Sequence, residues 1–101
     1  MLIKYVRDKR GQRIGVVVAI DKNRVGWSKC NFSKGDKFDK ERGKYIALKR
    51  AEKYKFQSTL FNKHLIVFKN NNGQILHNRL PHPICPAFLE MVERAQYYFQ
   101  E

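Results

Sequence analysis

Six residues from separate segments of this chain carry the side-chain chemistry that a nucleotide pocket uses: Arg24, Trp27, Phe68, Asn78, Arg79 and Arg94. An arginine fork matches phosphate oxygens, a flat ring offers a face on which a base stacks, and an asparagine amide can hydrogen-bond a base edge. Three of them also have a plainer reading. Trp27 and Phe68 serve equally as core rings, and Arg94 lies one helical turn from Glu90, with which it can pair. Catalytic motifs are missing: there is no Gly-rich phosphate loop, no HExxH and no Gly-x-Ser-x-Gly. His64, His77 and His82 are 13 and 5 residues apart with no carboxylates beside them, a poor match to metal-ligand spacing. The expectation is a binding protein rather than an enzyme, with neither metal nor cofactor.

The charge distribution points to an anionic partner. Residues 1–83 hold 20 of the 21 Lys and Arg against six of the nine acids, a balance of +14, while the last 18 residues hold one base and three acids. A small fold with this imbalance repels itself, and an anionic ligand relieves that cost. Basic residues concentrate from Lys34 to Lys55, with spacings such as Arg42/Lys49/Lys53 and Lys37/Lys40/Lys44 that line one face of a helix. Such a face attracts any phosphate backbone, and it also serves simply as a solvated surface.

At 101 residues with 43% hydrophobic and 13% aromatic content, the chain has enough apolar area for one core, and a single domain spanning 1–101 is expected. Cys30 and Cys85 lie 55 positions apart without CxxC or Cys-His spacing, which suits reduced, buried thiols in a cytoplasmic protein. The first residues lack the apolar stretch of a secretion signal, and no run approaches the ~18 residues that span a bilayer.

The fold class reads as α+β: an N-terminal antiparallel meander and a β-hairpin packed with two helices. Leu2 to Val6, Arg13 to Ile20 and Arg24 to Cys30 form the meander, the middle strand apolar on both faces. Asp36 is placed as the cap of a first helix ending near Tyr54, in which Gly43, Ala47 and Ala51 make a stripe of small side chains for close approach to a sheet. His64 to Lys69 and Gln74 to Leu80 flank an Asn-Gly turn. Pro86 opens a second helix whose apolar face runs through Phe88, Met91/Val92, Ala95 and Tyr98/Phe99.

The run Val25-Gly26-Trp27-Ser28-Lys29-Cys30-Asn31, followed by Asp36-Lys37-Phe38-Asp39-Lys40-Glu41 and Ile46-Ala47-Leu48-Lys49-Arg50-Ala51-Glu52, resembles small proteins of tailed phages and prophages. The ending Met91-Val92-Glu93-Arg94-Ala95-Gln96-Tyr97-Tyr98-Phe99 is similar to the Arg-aromatic-Phe ending of the same group. Within it, the chain looks most like the anti-Thoeris proteins that sequester a cyclic ADP-ribose signal. The resemblance implies homo-oligomers from dimers upward and capture of a cyclic nucleotide between subunits without hydrolysis. On that basis Arg24 and Arg94 hold phosphates, and Phe68 with Asn78 holds a base or ribose. A shorter segment between Tyr54 and His64, and Gln96-Tyr97 in place of a more basic pair, depart from the pattern and leave the ligand open.

The first reading is therefore a counter-defence sponge for a cyclic nucleotide immune signal, cyclic ADP-ribose or a cyclic oligonucleotide, acting in the cytoplasm of an infected cell. A second is a nucleic-acid or nucleoprotein binder, such as an inhibitor of a CRISPR effector, built on the lysine-rich helix. A third is a module that docks on a ribosome or host enzyme through its acidic C-terminal helix.

Overall fold

Val16, Val17, Val18 and Ala19 are all completely shielded from solvent, so their strand must be covered on both faces. The computed structural model describes residues 1–30, 38–59 and 65–99. In chain order these form β1 (Leu2–Arg7), β2 (Arg13–Ala19), β3 (Val25–Lys29), α1 (Lys40–Lys53), β4 (Tyr54–Thr59), β5 (Leu65–Asn70), β6 (Ile75–Arg79) and α2 (Cys85–Tyr98). They build two three-stranded antiparallel sheets, ordered β1-β2-β3 and β4-β5-β6. The α+β class, the N-terminal meander, the β5–β6 hairpin and the two helices are those expected from the sequence.

Alternation along β2 divides its apolar residues between two clusters. Val16 and Val18 pack with Ala47 of α1. Val17 and Ala19 join the larger core with Val25, Ile66, Phe68, Ile84, Phe88 and Met91. The second helix supplies that core from a face spaced three and four residues apart, Phe88, Met91 and Ala95, each fully buried.

Against the first sheet α1 lies unusually close. A Cβ on Gly26 would overlap the backbone of Ala47 and Ala51, so only glycine fits in β3 at this point. The small-residue stripe does face the sheet, but the position that cannot bear a side chain is on the strand. At Gly43 an added Cβ would stand 3.3 Å from Ser28 Oγ, a tight contact without overlap. Ser28 Oγ donates to the Gly43 carbonyl at 2.8 Å, which satisfies the hydroxyl at the buried contact.

Two features differ from the expectation. The cap of α1 is Asp39, whose carboxylate accepts from the Glu41 and Arg42 amides; Asp36 lies outside the described residues, as do Lys34, Lys37 and His64. The strand β4 was not anticipated. Tyr54 ends α1 as its C-cap and begins β4, and the Phe56 amide donates to Asn23 O at 2.8 Å, tying the second sheet to the turn after β2. Among the described residues no helix is long and apolar enough to cross a membrane.

The turn of the β5–β6 hairpin depends on Gly73 at φ +85°, with the Asn70 side chain accepting from the Asn72 and Gln74 amides. Across the molecule, Lys4 of β1 donates to Glu90 of α2 at 2.8 Å. That bond, then the charges of Lys4 and Arg94, hold the Glu90 carboxyl below its ordinary range.

Gly26→Ala should lower unfolding free energy by about 3 kcal/mol in urea titration, because backbone blocks the new methyl. Gly43→Ala, which gains about 1 kcal/mol of helix propensity against a tight Ser28 contact, should be nearly neutral. Glu90→Gln should cost less than about 1 kcal/mol at neutral pH, since the pair is exposed. A depressed carboxyl stabilises above its unfolded pKa, so the difference from the native chain should vanish as pH falls through the folded pKa.

Candidate functional site

Where the two sheets meet, beside the C-terminal end of α1, the chain forms a half-open cavity of about 350 Å³. Its walls come from the edge strand β3 (Val25, Gly26, Trp27), from Arg50 and Tyr54 at the end of α1, from Phe68 of β5, and from Leu76, His77 and Asn78 of β6. Antiparallel register explains the second wall. Phe68 opposes Leu76 and Ile66 opposes Asn78, which puts Phe68, Leu76 and Asn78 on one face of their sheet.

The rings differ in freedom. Phe68 is 5% exposed and wedged between Tyr54, at 6.1 Å between centroids, and Phe88, at 5.9 Å. It is a core side chain that also forms a cavity wall. Trp27 is half-buried, and the Arg50 guanidinium lies over its indole, 4.5 Å from the ring centroid. Arg50 Nη1 also donates to the Trp27 carbonyl at 2.7 Å. The stack and the bond orient the guanidinium and use only part of its five donors, leaving others for an anion.

Electrostatically the cavity favours negative charge. Among the described residues no Asp or Glu lines it. Burial lowers the pKa of Arg50, with Tyr54 opposing the shift, yet an arginine stays charged at neutral pH. Lys53 Nζ stands 5.6 Å from the centroid of the Tyr54 ring but does not itself line the cavity. No protein-family model matches the chain, and no match was found to a curated protein or to a solved structure.

Of the six residues singled out from the sequence, three meet here: Trp27, Phe68 and Asn78. The other three do not line the cavity. Arg24 donates to the Glu52 carbonyl at 2.7 Å and lies 3.6 Å from Asp21, closing the end of α1 against the turn before β3. Arg79 is exposed and opposes Leu65, on the sheet face away from Asn78. Arg94 is exposed on α2, where its charge helps to depress Glu90. Within one chain the arginine at the cavity is thus Arg50, which sequence reading counted among the helix surface charges. One signal could have found it: Arg50 is adjacent to Ala51 of the small-residue stripe, at the edge of the face that touches β3.

Tyr54 also escaped selection, while His77, weighed from the sequence only as a metal ligand, borders the cavity from a position opposing Val67, on the sheet face away from Asn78. Tyr54 belongs to the unanticipated β4, although Tyr54 and Phe56 alternate with Lys55 and Gln57 as a half-buried strand does. Among the described residues no group of His, Cys, Asp and Glu is arranged to hold a metal ion. Cys30 is half-buried and Cys85 buried, and burial pushes the Cys85 thiol up from its ordinary value.

Trp27 is the one tryptophan in the sequence, so its emission reports on this site alone. Arg50→Ala should move that emission to longer wavelength as water reaches the indole, and should cost about 1 kcal/mol of stability from the lost stack and bond. An unchanged spectrum would show that Arg50 does not cover Trp27 in solution.

Proposed function

We propose that this chain is a non-catalytic binding protein that captures a compact nucleotide in the cavity between its sheets. One observation carries the reading: a guanidinium, two aromatic walls and an exposed amide, from four separate elements, border a single cavity that has no carboxylate among its described lining residues. A volume of about 350 Å³ is at the small end of ligand pockets, suited to one compact molecule rather than a polymer. Arg50 would take the phosphate, Trp27, Tyr54 and Phe68 would form the apolar walls around the base, and Asn78 would take a base edge or ribose hydroxyl. A charged hydrogen bond in such a partly dry site is stronger than in water, so tight capture requires no chemical step.

The resemblance to the anti-Thoeris proteins supports a cyclic nucleotide immune signal as ligand, and a counter-defence role in the cytoplasm of an infected cell. It also supports a homo-oligomer in which the exposed Arg94 reaches the cavity of a neighbouring copy; the phosphate role it implies for Arg24 is set against that residue's contacts with Glu52 and Asp21 in its own chain. Light scattering tests the second half of this reading: a strict monomer that binds as tightly with Arg94→Ala as without it would remove Arg94 from the site.

Titration with cyclic ADP-ribose isomers and with cyclic di- and trinucleotides, followed by calorimetry and by Trp27 emission, tests the first half. The expected outcome is heat with one of them, quenching of Trp27, and at least tenfold weaker binding by Arg50→Ala and by Asn78→Ala. No heat with any of these ligands at high protein concentration would end the reading.

A further inference from the structure

The outer face of α1 holds a second positively charged feature that the cavity does not use. At 100° per residue, Arg42, Lys49 and Lys53 fall within about 40° of one another around the helix, opposite the buried Ala47 and Ala51. Their Cα atoms are spaced along the axis by about 10 and 6 Å at 1.5 Å per residue. All three are exposed, and Lys55 continues the exposed series into β4. Tyr45 sits beside the row, 60% exposed, with Lys49 Nζ 5.4 Å from its ring centroid.

Acids do little to neutralise the row. The two in α1, Glu41 and Glu52, lie about 20 to 40° beyond Tyr45 on the same flank of this face, clear of Arg42 and Lys53, and Glu41 pairs with Lys44 at 3.5 Å. Glu52 stands 3.7 Å from Lys49, a solvent-exposed pair that phosphate can replace. Among the described residues no acid is within ion-pair distance of Arg42 or Lys53. A solvated surface needs no exposed aromatic ring, and a large exposed ring flanked by cations is the pairing that single-stranded nucleic acid uses, with a base on the ring and phosphates on the cations. An anionic membrane would be met instead by several apolar side chains on the same helix face, whereas Tyr45 is the one large apolar side chain among the exposed residues of α1.

We infer that the outer face of α1 binds single-stranded nucleic acid without reading its sequence, through Arg42, Lys49 and Lys53 to the phosphates and Tyr45 to one base. The inference is independent of what fills the cavity.

Fluorescence anisotropy with a labelled 20-nucleotide oligouridine or oligothymidine tests it. Three phosphate contacts to a single strand should weaken binding about twentyfold between 50 and 200 mM KCl. Arg42→Glu/Lys49→Glu/Lys53→Glu should abolish most of the binding at 50 mM. Tyr45→Ala should lose about tenfold, and Tyr45→Phe should keep it. Lys9→Glu/Arg10→Glu, which reverses charge at the distant β1–β2 turn, should cost less than threefold. Thermal melting of each variant checks that it is folded; if the triple variant is not, the two Tyr45 variants and the native salt slope decide. No binding at 50 mM KCl, an equal loss from the Lys9/Arg10 variant, or binding to phosphatidylserine vesicles but not to oligonucleotides would overturn the inference.

Discussion

The contact between α1 and β3 is the constraint on which the candidate site depends. Because Gly26 has no side chain, the helix backbone comes down onto the strand, and Ala47 and Ala51 close the interface without leaving space. At that separation the Arg50 side chain can lie flat on the indole of Trp27 and still reach the carbonyl of the same residue. A helix lifted by one methyl group would shift both partners. The close approach also places the end of α1 at the junction of the sheets, so that Tyr54 passes directly into the wall of the cavity.

Much of the architecture was legible because its signals are local. The apolar, β-branched run in β2 announced a strand covered on both sides, and Gly73 with its preceding asparagines announced the hairpin turn. The apolar spacing of α2 marked its buried face through Phe88, Met91 and Ala95. Two signals were weaker. Asp36 and Asp39 are both competent caps, and their order in the chain does not say which has its carboxylate against the amides of the first turn. In β4 the alternation is present, but Lys55, Gln57 and Ser58 reduce its apolar content to two rings, and a strand adjoining a helix has no turn residues to announce it.

The site was legible by chemistry and not by assembly. Trp27, Phe68 and Asn78 were identifiable as a base-binding set, and the register of β5 with β6 together with the position of β3 puts them around one cavity. Which arginine joins them is a question about the packing of α1. Spacing shows that Arg50 borders the buried stripe, yet only the contact forced at Gly26 tells that its guanidinium turns inward over Trp27. Arg24 has a different task in the single chain, since its donors are directed to Glu52 and Asp21.

The direct passage from helix to strand at Tyr54 has a mechanical result. With no linker between them, the second sheet cannot tilt against α1 without unwinding the last helical turn, and the bond from Phe56 to Asn23 resists the same motion from the other end. The two walls are therefore tied together at both ends of this junction. For the compact nucleotide proposed above, walls coupled in this way would need little reordering on association. Under that proposal discrimination would rest on fit, and a slightly larger molecule would be excluded rather than accommodated.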